Sequence, residues 1–382
     1  MDRERGSGVR RPRVGLVLGA GGVLGAAWMT GALPALQKLL PCPINDVDLV
    51  VGTSAGSVVA AGLRCGVDID EMVAFNRGAA TGVLGDVGLA AAEDGPLPPM
   101  PRLRLGSPQL MRAALLTPHR VHPWVGASAW LPHGTGKHVA VRSMVHALHA
   151  HAHRHAAQQG AELPGSIPPG SVPAGSVPPQ GSEPPQEPLP HWVDGETWIV
   201  AVDYDSGQRV VFGRDGAPQV RLPDAVVASC SIPGWFQPVV INGRRYVDGG
   251  LRSATSLGLV AEADIDEVYV LAPMASFEMD RTRKPQELLE RRLRRLLTNA
   301  LRRDANALRS LGVRVTVLTP GPEDLAVIGA NLMDPRRRGA VLETSLRTSA
   351  AALATSEHDN CPPAGGISAD HGYPETGQPM VA

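Results

Sequence analysis

The stretch Val47-Asp48-Leu49-Val50-Val51-Gly52-Thr53-Ser54-Ala55-Gly56 decides how the rest of the chain is read. Its first half is a short apolar run rich in β-branched residues, which predicts a buried strand. The small residues after Ser54, continuing SVVAAGLRC, predict the start of a helix. Gly52, Thr53, Ala55 and Gly56 therefore surround a serine at a strand-to-helix turn. Glycines on both sides let the backbone bend sharply enough to push the hydroxyl out of the turn, the geometry of a nucleophile elbow. A G-x-S-x-G pattern also arises by chance in a chain with 43 glycines, so catalysis requires a base and an oxyanion hole elsewhere.

The sequence upstream, RVGLVLGAGGVLGAAWMTGALPAL, predicts a strand over Val14 to Leu18, a loop with Gly19, Gly21, Gly22 and Gly25, and a helix to about Leu40. Backbone N–H groups converging at a helix start make a site for negative charge. A dinucleotide fingerprint fits poorly, because counting G-x-G-x-x-G from Gly19 ends on Leu24 and the acidic residues Asp46 and Asp48 precede the next strand. An oxyanion hole fits better. Downstream, PVVI and RRYV flank Asn242-Gly243, a dipeptide that favours a type I′ hairpin turn. The hairpin places Asp248, followed by Gly249 and Gly250, at the end of its second strand. Asp203 and Asp205 are further carboxylates, set before a turn.

GLVLGAGGVLG, GTSAG, ASCSIPGWFQP and YVDGG, in this order and at this spacing, resemble the patatin-like phospholipase family over Arg13 to roughly Met274. The resemblance implies a three-layer α/β/α fold around a largely parallel sheet and a Ser54–Asp248 catalytic dyad. It also implies an oxyanion hole at Gly21, Gly22 and Val23, with no metal or organic cofactor. One departure is Leu24, where the family commonly carries Arg or Lys. A conventional triad is disfavoured, since the only histidines after Asp248 are His358 and His371, in a segment poor in structure signals. The activity implied is hydrolysis of lipid carboxylic esters of the phospholipase A kind. The alternative is a lipid-binding or regulatory protein on the same fold whose catalysis has decayed.

With 36 basic against 37 acidic residues, the chain offers no general field for nucleic acid or an anionic membrane. Cys42, Cys65, Cys230 and Cys361 form no C-x-x-C pair, and neither a zinc site nor a disulfide framework is indicated. A charged N-terminal segment without an apolar core behind it, and no run long enough to span a bilayer, predict a cytoplasmic protein meeting its lipid substrate at most peripherally, at a membrane surface.

The expected organisation is a disordered basic tail over 1–12, one hydrolase domain over 13–352 and a disordered tail over 353–382. The domain is interrupted over 156–190 by a Pro/Gly/Ser-rich linker whose composition cannot offset the cost of ordering. Within the domain, helices are expected over 68–77, 136–155, 251–263, 285–311 and 323–352. Residues 82–132, with Trp124, Trp130 and Leu131, read as a lid, an acyl-chain wall or a loop anchored in the core. His146, His149 and His153 share a helical face, which is a polar helix end unless a metal is held there. In the 285–311 helix, Leu289, Leu293, Leu296, Leu297 and Leu301 form the expected core face and the arginines the solvated one; a basic amphipathic helix of this kind also suits a membrane surface.

Overall fold

In a computed structural model of the 382-residue chain, the residues described are 10–79, 82–88, 102–158, 192, 195–280 and 285–355. The sheet starts from the apolar runs found in the sequence. β1 (Val14–Leu18) leads through the glycine loop into α1 (Gly22–Gln37), and β2 (Leu49–Thr53) leads through Ser54 into α2 (Ala55–Arg64). All ten residues of the two strands are buried, as expected of parallel strands covered on both faces. α3 (Ile69–Arg77) ends on Gly78 in the left-handed region. There follow α4 (Gly82–Gly88), β3 (Arg102–Leu105), α5 (Pro108–Leu116), α6 (Pro123–Ser128), β4 (Pro132–His133) and α7 (Val139–Gln158). Ser107 caps α5, its hydroxyl accepting from the Leu110 amide at 3.2 Å.

β5 (Glu196–Asp203), β6 (Arg209–Phe212), α8 (Leu222–Cys230), β7 (Val239–Ile241), β8 (Arg244–Asp248) and β9 (Glu267–Leu271) continue the chain. α9 (Pro285–Ser310), β10 (Arg314–Leu318), α10 (Pro322–Ile328) and α11 (Arg338–Thr355) close it. The main sheet runs β10-β9-β1-β2-β5-β8-β7, with β6 also paired to β5. From β10 to β5 the strands are parallel, and β6, β7 and β8 are antiparallel additions. β3 and β4 form a separate two-stranded ribbon. One face of the sheet packs against α1, α2, α8 and α11, with Trp28, Leu33 and Leu36 among the buried side chains. The other packs against α9 and a 3₁₀ segment at Leu257–Glu262, burying Leu301, Ala305 and Leu308. This is the expected three-layer α/β/α architecture, and the Asn242-Gly243 turn has φ of 50° and 74°, as a type I′ hairpin requires.

Several expected elements differ. The helix expected over 251–263 is two 3₁₀ segments, Gly249–Leu251 and Leu257–Glu262, with Ser256 in the left-handed region between them. The helix expected over 323–352 is split into α10 and α11, because Gly329 takes φ +66° and the Pro335 segment turns the chain. In the first half of α9 the expected faces are reversed: Arg291 and Arg294 are buried while Leu289, Leu293 and Leu296 are exposed. Arg294 donates to the Pro273 and Ala275 carbonyls at 2.6 and 3.1 Å and is paired with Glu290, so hydrogen bonding outweighs its apolar surroundings. Trp124 and Trp130 are both 56% exposed and do not anchor the core.

Arg10 and Arg11, placed in the expected N-terminal tail, are paired with Asp264, Asp266 and Asp48. The stretches 1–9, 89–101, 159–191 and 356–382 lie outside the described residues, and with them most of the expected linker, most of each expected tail and part of the region considered as a lid. Among the described residues, no helix is long and apolar enough to cross a membrane.

Candidate active site

Strand register brings the two distant motifs together. Thr53 of β2 lies opposite Val200 of β5, and Asp248 of β8 lies opposite Ala201, the next residue of β5. Ser54 follows Thr53 directly, at φ +53° and ψ −123°. A non-glycine residue held there is strained, and the strain persists because the surroundings fix it. The Ser54 amide donates to the Ser229 hydroxyl at 2.8 Å, which in turn donates to the Val200 carbonyl at 2.6 Å. The Ser57 hydroxyl donates to the Ser54 carbonyl at 2.6 Å. Close packing explains the flanking glycines: a Cβ on Gly56 would stand 2.0 Å from the Leu18 carbonyl oxygen, and one on Gly52 2.7 Å from the Ser57 Cα.

The Ser54 hydroxyl donates to Asp248 Oδ2 at 2.7 Å, across 194 residues of sequence. Asp248 Oδ1 accepts from the Gly250 amide at 2.7 Å, and the Asp248 amide donates to the Ser231 carbonyl at 3.0 Å. A Cβ on Gly249 would stand 2.3 Å from the Val200 carbonyl oxygen, so the turn after Asp248 runs tightly against β5. Asp248 is 5% exposed. Burial raises its pKa to about 6, against the lowering effect of the hydrogen bonds from Ser54 and Gly250.

The glycine loop lies beside this pair, since Leu18 of β1 pairs with Gly52 of β2. The loop amides divide into two sets. Gly19, Ala20, Leu24 and Gly25 donate to the carbonyls of Leu271, Ala254, Leu332 and Gly21. Those of Gly21, Gly22 and Val23 have no acceptor among the described residues. Gly22 takes φ +61°, and with Val23 it lines a cavity of about 210 Å³ that also exposes Ser54. Gly21 stands behind that lining, packed on Pro273. Leu24, where the sequence resemblance leads one to expect a cation, is fully buried.

The cavity walls are mostly apolar, with Val58, Phe75, Met144, Trp235 and Phe236 prominent. Trp235 and Phe236 come from the SIPGWF motif; Trp124, Trp130 and Leu131 are absent from the lining. The polar residues Asn76, His138 and Arg338 of the lining were not legible in the sequence, and the last two bear on its charge. His138, at φ +50°, stacks on Phe236 with ring centroids 3.5 Å apart, and its Nε2 is buried without a partner among the described residues. Burial pushes its pKa down to about 4, so the imidazole is neutral at pH 7. The second is Arg338, the first residue of α11. Neither lies in a recognisable motif, and only the fold brings them to Ser54.

The other sequence candidates are placed elsewhere. Asp203 accepts from the Asp205 and Ser206 amides and from Arg244, and Asp205 is paired with Arg245; both hold the turn after β5. His149 and His153 meet through their Nε2 atoms at 3.0 Å, and His146 is exposed. Among the described residues no group of three potential metal ligands is found.

A family model described as patatin-like phospholipase matches residues 16–260, a span holding most of β1, all of β2, β5 and β8, and both members of the Ser54–Asp248 pair. No curated protein matches the chain. Among solved structures, VipD from Legionella pneumophila is similar over 87% of this chain and 67% of its own, at 13% identity and a TM-score of 0.34. The type III effector ExoU is similar over 90% of this chain at 14% identity and a TM-score of 0.36, and the chain spans about half of its length, 53%. The family match covers most of the described sheet, the glycine loop from Gly19 to Gly25 and the GTSAG, ASCSIPGWFQP and YVDGG motifs, and the chain belongs to the patatin-like phospholipase family.

Proposed function

We propose that the chain hydrolyses carboxylic esters of lipids through a Ser54–Asp248 dyad. The observation that carries this reading is the 2.7 Å hydrogen bond from a strained, elbow-held serine to a buried carboxylate. In the proposed cycle Ser54 Oγ attacks the ester carbonyl carbon while its proton passes to Asp248. The tetrahedral intermediate then collapses, the C–O bond to the alcohol breaks, and Asp248 returns the proton to the leaving oxygen. Water, deprotonated by Asp248, attacks the acyl-serine and releases the fatty acid with Ser54 regenerated. A carboxylate of ordinary pKa is a weak base, and the rise to about 6 moves Asp248 toward the working range.

The unengaged amides of Gly22 and Val23, with that of Gly21 beside them, suit the oxyanion, each donor contributing roughly 3 kcal/mol in comparable sites. The apolar cavity suits an acyl chain. Phospholipids, lysophospholipids and acylglycerols all carry the required ester, and the reading places a cytoplasmic protein at a membrane surface where such lipids are presented.

The test is hydrolysis of a nitrophenyl ester and of phospholipid vesicles by the wild type, Ser54→Ala and Asp248→Asn, with fluorophosphonate labelling and circular dichroism as controls. Loss of turnover by at least about a thousandfold in both folded variants, with label found on Ser54, supports the dyad. Equal behaviour of all three would replace it with the lipid-binding alternative.

A further inference from the structure

Among the described residues, the cavity at Ser54 is lined by one charged side chain, Arg338, with no ion-pair partner. Besides Arg338, its titratable lining residues are His138, neutral at pH 7, and Cys230, whose thiol burial pushes up to about 12. The Arg338 guanidinium lies 5.1 Å from the centroid of the Phe75 ring, the aromatic wall of the same cavity. No carboxylate among the described residues pairs with it, although acids are close in sequence. Asp334 is engaged by Arg336 and Arg337, and Glu343 by Arg77 at 2.6 Å. Burial lowers the pKa of Arg338 with no opposing acid, yet a guanidinium remains protonated at neutral pH.

Holding a cation on an apolar wall without a counter-ion costs solvation, and a ligand that brings the missing negative charge recovers it. α11 begins at Arg338, so the positive end of an 18-residue helix adds to the same field. The ligand must combine an acyl chain for the apolar wall, an ester at Ser54 and an anion near that ester. An acylglycerol has no such anion. The carboxylate of a product fatty acid forms at Ser54 itself, where the oxyanion donors are. A glycerophospholipid carries its phosphodiester on the same glycerol as the ester, and a guanidinium fork matches phosphate oxygens in pairs.

We propose that Arg338 is a specificity-determining residue that binds the phosphodiester of a glycerophospholipid while the acyl ester lies at Ser54. The proposal rests on the hydrolase reading for its substrate, but its test needs no turnover. Binding of a 1-O-alkyl glycerophosphocholine, whose ether cannot be cleaved, is followed by tryptophan fluorescence, since Trp235 lines the cavity. A 1-O-alkylglycerol of the same chain length is the uncharged control. In a Ser54→Ala background, Arg338→Gln is expected to weaken the phospholipid ether roughly ten- to hundredfold and the alkylglycerol less than about twofold. Arg338→Lys, which keeps the charge and loses the fork, is expected to fall between; should Arg338→Gln not fold, it is read in its place.

Equal affinity for the phospholipid ether with and without Arg338 overturns the proposal. So does an equal loss for both ethers, which would mark a structural role. Titration with inorganic phosphate alone separates the remaining source: binding that requires Arg338 for phosphate but not for the lipid ether also overturns the proposal, in favour of free phosphate. Failure of fluorophosphonate to label Ser54 in the wild type would remove the hydrolase reading and leave these binding results standing.

Discussion

As the base of the proposed dyad, Asp248 would gain proton affinity from the same burial that costs the fold stability. Its pKa in the folded protein, about 6, lies above the ordinary aspartate value. The folded state therefore holds a proton that the unfolded state has already lost between about pH 4 and 6, and stability falls as pH rises through that window. Above it the penalty is complete, on the order of 2–3 kcal/mol. Asp248→Asn is expected to raise the melting temperature at pH 8 and to lose that advantage near pH 4, as thermal unfolding at the two pH values would show. For activity the expected sign is opposite, because Asp248 can act as the proposed base only when ionised. With a nitrophenyl ester, kcat/KM is expected to climb through a midpoint near pH 6, and a flat profile from pH 5 to 8 would exclude Asp248 as the proton acceptor. Gly56 is the neighbouring case in which geometry alone decides. The Leu18 carbonyl oxygen 2.0 Å from an added Cβ cannot be avoided without moving β1 or the elbow. Gly56→Ala is expected to cost at least about 3 kcal/mol in urea unfolding, or to give insoluble protein.

At the scale of the element, α9 separates the pattern of a helix from the face it buries. Its leucines recur at helical spacing, and spacing correctly gives a helix over Pro285–Ser310. The side chain at the core is nevertheless Arg294 in the first half and Leu301 in the second. The first half lies against backbone carbonyls at Pro273 and Ala275, which an arginine satisfies and a leucine cannot. Leu301→Ala should therefore destabilise by about 2–5 kcal/mol, while Leu289→Gln, at a position 70% exposed, should stay within about 0.5 kcal/mol. Equal effects in urea titrations would show that the exposed leucines are covered in solution. Likewise, helical composition runs through 323–352, but Gly329 at φ +66° and the Pro335 turn break it and set Arg338 at the cavity.

Across the whole molecule, the parallel β1, β2, β5, β9 and β10 bring the ends of several loops to one place. The antiparallel β8 then delivers Asp248 into that crevice from the other direction. Replacing residues 161–189 by a Gly/Ser segment of equal length is expected to leave the melting temperature within about 2 °C, because the composition of that stretch offers little apolar surface to bury. A larger fall in differential scanning calorimetry would show that the stretch packs on the fold.

The sequence by itself determined the strands, the elbow at Ser54, the glycine loop and the hairpin ending at Asp248, because each rests on local rules of periodicity, turn chemistry and glycine conformation. The same local rules misassign the faces of α9 and join α10 to α11. Tertiary structure alone decided that Ser54 and Asp248 meet, through the registers of β2 and β8 on β5. It also decided that Ser229 fixes the elbow, that Gly22 and Val23 line the cavity with amides that find no acceptor among the described residues, and that His138 and Arg338 join them. These are contacts between residues distant in the chain, and no local propensity specifies which of the many acids, histidines or arginines will be brought to one serine. Only the packing of α7, α8 and α11 on the sheet selects them.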